Sequence, residues 1–165
     1  MNSKRNLVFL GMMGAGKSSI GKLVSKELNL KFIDVDSLIE NEQGINISII
    51  FDKKGENYFR NLEEKTTLKV LRDGNSVISL GGGAFINEKI RREILSNHFS
   101  FWLSWSESIL LKRIKDSKKR PLAFNSTDKE IKKLIRKRAK IYLKANYKIN
   151  CNKLTKTEIV KKIIK

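Results

Sequence analysis

A glycine-rich segment near the start of the chain, GMMGAGKSS (11–19), contains the pattern GxxxxGK[ST]. It follows the apolar run NLVFL and precedes a stretch with helical periodicity, which is the setting in which this pattern binds phosphate. Glycines let backbone N–H groups surround an anion, and the following helix directs its positive end to the same point. The segment therefore predicts a phosphate-binding loop. The competing interpretation is a glycine turn that only packs a strand against a helix.

The side chains of this loop match the needs of a nucleoside triphosphate. We expect Lys17 to reach the β- and γ-phosphates, and Ser18 to bind the Mg²⁺ that bridges them. Ser19 is expected to support the α-phosphate end. The cradle around the phosphates would be formed by Gly14, Ala15 and Gly16.

Apolar, β-rich runs alternate with amphipathic stretches along the chain, which predicts an α/β fold with a parallel sheet covered by helices. Two of the runs, NLVFL and SVISL, are almost continuously apolar, so they are expected at the centre of the sheet. Residues 55–73 have helical periodicity and stop at Gly74. The five predicted strands are NLVFL (6–10), KFIDV (31–35), SVISL (76–80), HFSFWLSW (98–105) and YKINC (147–151).

Length and composition indicate one domain over residues 1–165. A chain of 165 residues is long enough for a single core, and no repeat or linker divides it. The apolar run Leu7–Leu10 is too short for a signal peptide or a membrane span, so no membrane partner is expected. The only cysteine, Cys151, cannot form an intramolecular disulfide; this favours a cytoplasmic protein with a buried thiol.

The chain is strongly basic, with 35 Lys and Arg against 17 Asp and Glu and a net charge of +18. Such a surface attracts phosphates, nucleic acids or anionic membranes. Most of the excess is lysine on helix-like stretches such as KEIKKLIRKRAKIYLK (129–144), with few aromatic rings for stacking on bases. A solvated basic face is therefore favoured over a nucleic-acid site, and no nucleic-acid partner is expected.

Polar residues follow the second and third predicted strands. Strand alternation would turn Asp34 and Asp36 to the same side at the carboxyl edge of the sheet, where α/β sheets bind ligands. One carboxylate would then serve a metal and the other a substrate; the alternative is that Asp36 only caps the next helix. The glycines at 81–83 would let a small ligand touch the backbone.

Two arginines have the spacing of anion-binding residues. Glu63 and Glu64 lie three and four residues after Arg60, where they would orient its guanidinium toward a carboxylate. A plain surface ion pair is the alternative. Arg138 shares one helical stripe with the apolar residues of 131–142, which turns it inward, and an inward arginine usually has an anionic partner.

The polar segment around the only proline, Pro121, interrupts two helical patterns and is a candidate lid. Within it, Arg120 would swing over bound ATP and offset transition-state charge. His98 is interpreted as a surface or turn residue, and Trp102 and Trp105 as side chains that fill the space between sheet and helices.

Six blocks of this sequence resemble, in order and in approximate spacing, the motifs of the shikimate kinase family. Together they extend over nearly the whole chain. The blocks are GMMGAGKSS (11–19), FIDVD (32–36), IIFDKKGENYFRNLE (49–63), SLGGGA (79–84), RPLAF (120–124) and KRAKIY (137–142).

The resemblance implies a three-layer α/β/α P-loop kinase of the nucleoside monophosphate kinase type. Its parallel sheet would have five strands in the order 2-3-1-4-5, with a substrate-binding segment at about 34–62 and a lid at about 114–128. The implied reaction is transfer of the γ-phosphoryl group of ATP to the 3-hydroxyl of shikimate, with Mg²⁺, in aromatic amino acid biosynthesis. A monomer is expected.

The resemblance also implies roles for individual residues. Asp36 would grip the shikimate hydroxyls and act as base, and Asp34 would join Ser18 in the magnesium environment. Arg120 would contact ATP and substrate, and Lys17 would act with it in catalysis. The shikimate carboxylate would be held by Arg60, Gly82 and Arg138. Gly81 and Gly83 would also bind the substrate, and Phe51 and Phe59 would wall its ring. The adenine side would be formed by Arg113, Asn152 and Lys153.

Three alternatives stay open at this point. A gluconate kinase shares the loop and the fold, but Asp36, Arg60, the three glycines at 81–83 and Arg138 as a set argue against it. A basic nucleic-acid-binding module with a regulatory ATP site would explain the charge. A kinase-like scaffold without activity is opposed by competent residues at every catalytic position assigned above.

Overall fold

The computed structural model describes residues 5–117 and 126–165. Strands and helices alternate along these residues, as the sequence predicts. The strands are β1 (Leu7–Leu10), β2 (Lys31–Asp34), β3 (Ser76–Ser79), β4 (Phe99–Ser104) and β5 (Tyr147–Asn150). The helices are α1 (Lys17–Glu27), α2 (Val35–Gln43), α3 (Ile47–Asp73), α4 (Glu88–Asn97), α5 (Glu107–Lys115), α6 (Asp128–Tyr142) and α7 (Lys156–Ile164), with a single 3₁₀ turn at Ala84–Ile86.

All five strands are parallel and form one sheet in the order β2-β3-β1-β4-β5. This confirms the predicted order and the predicted strand positions. Strands β1 and β3 lie inside the sheet, and every residue of β3 is buried, which explains their nearly continuous apolar sequences. Helices cover both faces, so the carboxyl ends of the strands form one open edge.

Helix α3 contains the break that the sequence places at its glycine. Gly55 has φ 80° and ψ 168°, so the helix consists of two segments, of which the second covers the predicted 55–73. Gly74 follows its last residue with φ 65°, as expected for a glycine helix stop. Four residues of the first segment, Ile47, Ser48, Phe51 and Asp52, line the cleft described below.

His98 lies in the bend between α4 and β4, as the turn interpretation predicted, but it is buried, so the surface interpretation was wrong. It is 7% exposed, and its Nδ1 accepts a hydrogen bond from the backbone N–H of Asn6 at 3.2 Å. The side-chain amide of Asn6 donates to Leu71 O and accepts a hydrogen bond from the backbone N–H of Ser76. This network lies where β1, β3 and β4 begin, at the edge opposite the carboxyl ends, so the imidazole serves packing and not chemistry.

Cys151 is buried, as predicted, and burial raises the pKa of its thiol to about 11. The lid prediction falls largely on residues 118–125, including Arg120 and Pro121, which lie outside the described residues. Among the residues that are described, no helix is long and apolar enough to cross a bilayer.

Candidate active site

The phosphate loop joins β1 to α1 at the centre of the open edge. Gly11, Gly14 and Gly16 have φ values of 140°, 82° and 84°, in the region that favours glycine. Helix α1 begins at Lys17, so the hydroxyls of Ser18 and Ser19 lie in its first turn, at the positive end of the helix. The Lys17 ammonium folds over the loop and donates to Gly11 O at 3.0 Å and Met12 O at 3.1 Å.

Two side chains from the β4 side hold the outside of this loop. The Trp105 indole N–H donates to Ala15 O at 2.9 Å, and the Arg113 guanidinium donates to Gly14 O at 3.2 Å. Arg113 Cζ also lies 3.9 Å from the centroid of the Trp105 ring. Trp105 was predicted only as a packing residue; its place just after the carboxyl end of β4 is the signal that would have drawn attention to it.

Three side chains with oxygen atoms, Ser18, Asp34 and Ser79, meet at the amino end of α1. Ser18 Oγ donates to Asp34 Oδ2 and lies 3.4 Å from Ser79 Oγ at the end of β3. A serine hydroxyl beside a carboxylate and a second hydroxyl is an oxygen donor set that suits Mg²⁺. Ser79 was not assigned a role from the sequence, although it opens the SLGGGA block.

Asp34 and Asp36 line the same cleft, as predicted, but alternation along a strand does not explain it. Strand β2 ends at Asp34, whose carboxylate caps α2 by accepting from the Ser37 N–H at 3.1 Å. Asp36 lies in the first turn of α2. The cap is therefore Asp34, so the interpretation of Asp36 as a mere helix cap was wrong.

Asp36 faces Glu63 across the backbone of Gly81. A methyl group on Gly81 would lie 2.5 Å from Glu63 Oε1 and 2.7 Å from Asp36 Oδ1, so only glycine fits here. Both oxygens are shielded from solvent and accept no hydrogen bond from the described residues. Burial, then the Glu63 charge, raises the pKa of Asp36 to about 6, and Lys17 opposes the shift. Burial also raises the pKa of Glu63.

Arg60 is oriented by carboxylates, but only partly by those predicted. Its Nη1 donates to Glu63 at 2.7 Å and its Nε to Glu56 at 3.3 Å. The prediction for Glu64 was wrong, because that side chain turns away to Asn87 and Lys89. The Arg60 guanidinium packs on Gly83, where a methyl group would lie 2.5 Å from Nη1.

Arg138 is buried, as its helical stripe predicts, with 8% exposure. Its Nη1 lies 3.9 Å from Met12 Sδ. A methyl group on Gly82 would lie 3.4 Å from this Nη1 and 3.3 Å from the backbone nitrogen of Met13 in the phosphate loop. Tyr142, one turn further along the same stripe, donates its hydroxyl to Gly82 O. Burial raises the pKa of Tyr142 to about 12, so this donor keeps its proton. Tyr142 was read as part of the stripe but not as a site residue.

One open cleft of about 1150 Å³ is lined by residues of the phosphate loop, the carboxylates, Arg60 and Arg138, and the rings of Phe51 and Phe59. Trp105, Arg113 and Tyr142 lie outside this lining. The two rings are 4.8 Å apart, and Phe59 is 4% exposed, so Phe59 also belongs to the core. The cleft brings together, from the predicted set, Gly14, Gly16, Lys17, Ser18, Ser19, Asp34, Asp36, Phe51, Phe59, Arg60, Gly81, Gly82, Gly83 and Arg138.

The predicted adenine-side residues lie apart from the acceptor end of the cleft, the part that contains Asp36, Arg60, Glu63 and Arg138. Asn152 follows β5, and its Oδ1 accepts from the Ser106 N–H at 2.9 Å. Lys153 is exposed and has φ 63°. Both therefore lie on the β4–β5 side of the phosphate loop, the side from which Arg113 reaches Gly14.

A phosphate loop at the centre of a five-stranded parallel sheet, with an anion-binding cleft beside it, defines a P-loop kinase of the nucleoside monophosphate kinase type. The family model "Shikimate kinase" matches residues 13–165. The shikimate kinase of Sulfurihydrogenibium sp. (strain YO3AOP1) is 39% identical over 160 residues, which cover 97% of this chain and 96% of that relative. The chain belongs to the shikimate kinase family.

Solved structures agree with this assignment. The crystal structure of shikimate kinase from Aquifex aeolicus superposes with a TM-score of 0.87 at 40% identity, covering 96% of this chain and 94% of that one. Shikimate kinase from Acinetobacter baumannii, in complex with shikimate, superposes with a TM-score of 0.91 at 28% identity, covering 97% and 90%.

Proposed function

We propose that this enzyme transfers the γ-phosphoryl group of ATP to the 3-hydroxyl of shikimate, giving shikimate 3-phosphate and ADP in the chorismate route of aromatic amino acid biosynthesis. The observation that carries the proposal is the acceptor end of the cleft. Two arginines and two solvent-shielded carboxylates converge there on three glycines, beside Lys17. Such a set suits a small molecule that has one carboxylate and several hydroxyls.

The nucleotide would lie in the phosphate loop with its γ-phosphate toward the acceptor end. Lys17 would leave its carbonyl partners and bind the β- and γ-phosphates, and Ser19 would support the α-phosphate. Ser18 and Asp34 would hold Mg²⁺, for which their oxygens, with that of Ser79, are suitable ligands. When bound, Mg²⁺ supplies positive charge that neutralises the phosphate oxygens during transfer.

The carboxylate of shikimate would be held by Arg60, Arg138 and the N–H of Gly82. Both guanidinium groups already contact this glycine segment, and Glu63 fixes Arg60 in direction. A planar guanidinium binds a carboxylate with two parallel hydrogen bonds, which sets orientation as well as affinity. Phe51 and Phe59 would pack on the carbon ring.

Asp36 would orient the reacting hydroxyl and accept its proton. A carboxyl group with a pKa of about 6 is mostly ionised at neutral pH and is still basic enough to take part. The hydroxyl oxygen bonds to the γ-phosphorus, the bond from that phosphorus to the β–γ bridging oxygen breaks, and ADP leaves. Lys17 would offset the charge that accumulates during transfer. Arg120, outside the described residues, would add to this from the lid.

We also propose that the enzyme is a monomer, as the resemblance to the family implies. The buried thiol of Cys151 and the requirement for ATP fit a reducing cytoplasm. We also propose that residues 34–62 act as the substrate-binding segment and 114–128 as the lid of a single domain.

The test measures ADP release from the purified protein with ATP and Mg²⁺, offering shikimate, gluconate, AMP or no acceptor. We expect release only with shikimate, and loss of it in Asp36→Asn and Arg138→Ala. Arg136→Ala is the matched control, since Arg136 is exposed on the same helix and pairs with Glu107. Turnover with gluconate or AMP but not shikimate would overturn the proposal, as would ADP release that no acceptor increases.

A further inference from the structure

Trp105 and Arg113 form a stacked pair that the phosphotransfer chemistry does not use. Arg113 Cζ lies 3.9 Å from the centroid of the indole, at van der Waals contact over the ring. Each side chain is fixed by a neighbouring carbonyl of the phosphate loop, Ala15 O for Trp105 and Gly14 O for Arg113. Arg113 is otherwise exposed, so the guanidinium face turned away from the indole is open.

The strand order places this pair where a nucleotide base must leave the loop. The acceptor residues Asp36 and Gly81 follow β2 and β3, on one side of the central strand β1. Trp105 follows β4, on the other side. Because the γ-phosphate must face the acceptor, the base projects in the opposite direction, over the β4 side. A planar cation is a good stacking partner for a purine, provided that it is held flat.

We propose that Trp105 is a positioning residue for the nucleotide base. Its indole supports one face of the Arg113 guanidinium and so holds this side chain in place before the nucleotide binds. The opposite face can then stack on the base without a further loss of side-chain entropy. The inference rests on the proposed function, because it presumes that the phosphate loop binds ATP with the γ-phosphate toward Arg60 and Arg138. Trp105 would then have two functions. Its N–H binds the phosphate loop, and its ring supports the base.

Two substitutions separate the ring from its N–H. Trp105→Phe keeps an aromatic face and loses the donor to Ala15 O, whereas Trp105→Leu loses both. Dissociation constants are measured by calorimetry for ADP and for tripolyphosphate, which has phosphates but no base. We expect Leu to bind ADP about fivefold more weakly than Phe does, and the two variants to bind tripolyphosphate equally. In an Arg113→Met background the Leu-to-Phe difference for ADP is expected to disappear.

Equal ADP affinity in the Leu and Phe variants would overturn the inference, and so would a Leu-to-Phe difference that is as large for tripolyphosphate as for ADP. Failure of the wild-type protein to bind ADP would instead contradict the proposed function. The two failures are therefore distinguishable.

A second measurement needs no change at position 105. The chain has two tryptophans, so in Trp102→Phe the indole emission comes from Trp105 alone. We expect ADP to change this emission, because the base would fix the guanidinium that covers the ring, and tripolyphosphate to change it much less. The same response to both ligands would contradict a stack of indole, guanidinium and base.

Discussion

The two ends of the cleft are built in opposite ways. The nucleotide end is local: nine consecutive residues, 11–19, supply its backbone cradle and its lysine. The acceptor end is assembled from Asp36 on α2, Arg60 and Glu63 on α3, the glycines after β3, and Arg138 on α6. A backbone cradle recognises a phosphate that many substrates share, whereas distant charged side chains recognise one particular acid.

The two ends also differ in what they do to stability. Backbone N–H groups at a helix start are neutral dipoles that bind an anion without a buried charge. At the acceptor end, Asp36 and Glu63 approach each other in a shielded site, and burial raises the pKa of both. Under the proposed function, recognition of the acceptor therefore costs folding stability, and the following experiments separate the two contributions.

The largest effect is expected from Lys17→Met. Removal of the charge that would stabilise the transferred phosphoryl group should lower kcat about 10³-fold, because the acceptor residues cannot replace the contact of Lys17 with the phosphates. Shikimate binding, measured by calorimetry, should stay within about threefold of the wild-type value. Lys26→Met, an exposed change on the same helix, should leave kcat unaltered. Equal losses in kcat and in shikimate binding would contradict the separation of the two ends.

Arg138→Met tests the acceptor end by itself. Removal of a buried cation that holds a carboxylate should raise KM for shikimate roughly 100-fold, while the dissociation constant for ADP stays unchanged. Arg136→Met removes an equal charge two residues away on the exposed face and should change neither value. If both variants weakened shikimate binding alike, general basicity rather than the clamp would explain the affinity.

Asp36→Asn should raise the free energy of unfolding at pH 8 by about 1–3 kcal/mol. The folded-state pKa of Asp36, about 6, exceeds its ordinary value of 3.8, so the ionised group destabilises the fold above pH 6. The gain should shrink as pH falls from 6 to 4 and disappear below, where both states are protonated. Denaturant unfolding across this range is the measurement, and a gain independent of pH would contradict the assignment to charge.

The smallest effect is expected at the other edge of the sheet. Burial lowers the pKa of His98, so the unfolded chain takes up a proton more readily than the folded protein. Stability should therefore decline as pH falls below 6.5, until the folded protein also binds the proton. His98→Asn keeps an acceptor for the Asn6 N–H and should remove this decline. An unchanged pH dependence in the variant would show that His98 does not titrate with folding.

The fold and the nucleotide end could be predicted from the sequence because their signals are local. Alternating apolar runs placed all five strands, and the glycine spacing of 11–19 placed the loop. Arg138 was predicted to face inward because its apolar neighbours repeat with the helical period. Each of these inferences uses residues within a few positions of one another.

The errors and omissions arise where contacts span the chain. Trp105 meets Ala15 across 90 positions and Tyr142 meets Gly82 across 60, and neither distance leaves a periodic pattern. The alternation argument for Asp34 and Asp36 failed because β2 ends at Asp34, two residues before Asp36, which lies on α2. Glu64 lies four residues after Arg60, a spacing that allows an ion pair on a helix. Its carboxylate instead binds Asn87 and Lys89, which are distant in the sequence.

The most direct test of the acceptor clamp compares kcat/KM for shikimate with that for its methyl ester, in the wild-type protein and in Arg138→Met. The ester keeps every hydroxyl but carries no negative charge. We expect the wild-type protein to prefer shikimate by at least about 100-fold. The preference should fall at least tenfold in Arg138→Met, whereas Arg136→Met should retain it. A wild-type protein that used the ester as well as the acid would contradict the claim that this end of the cleft recognises a carboxylate.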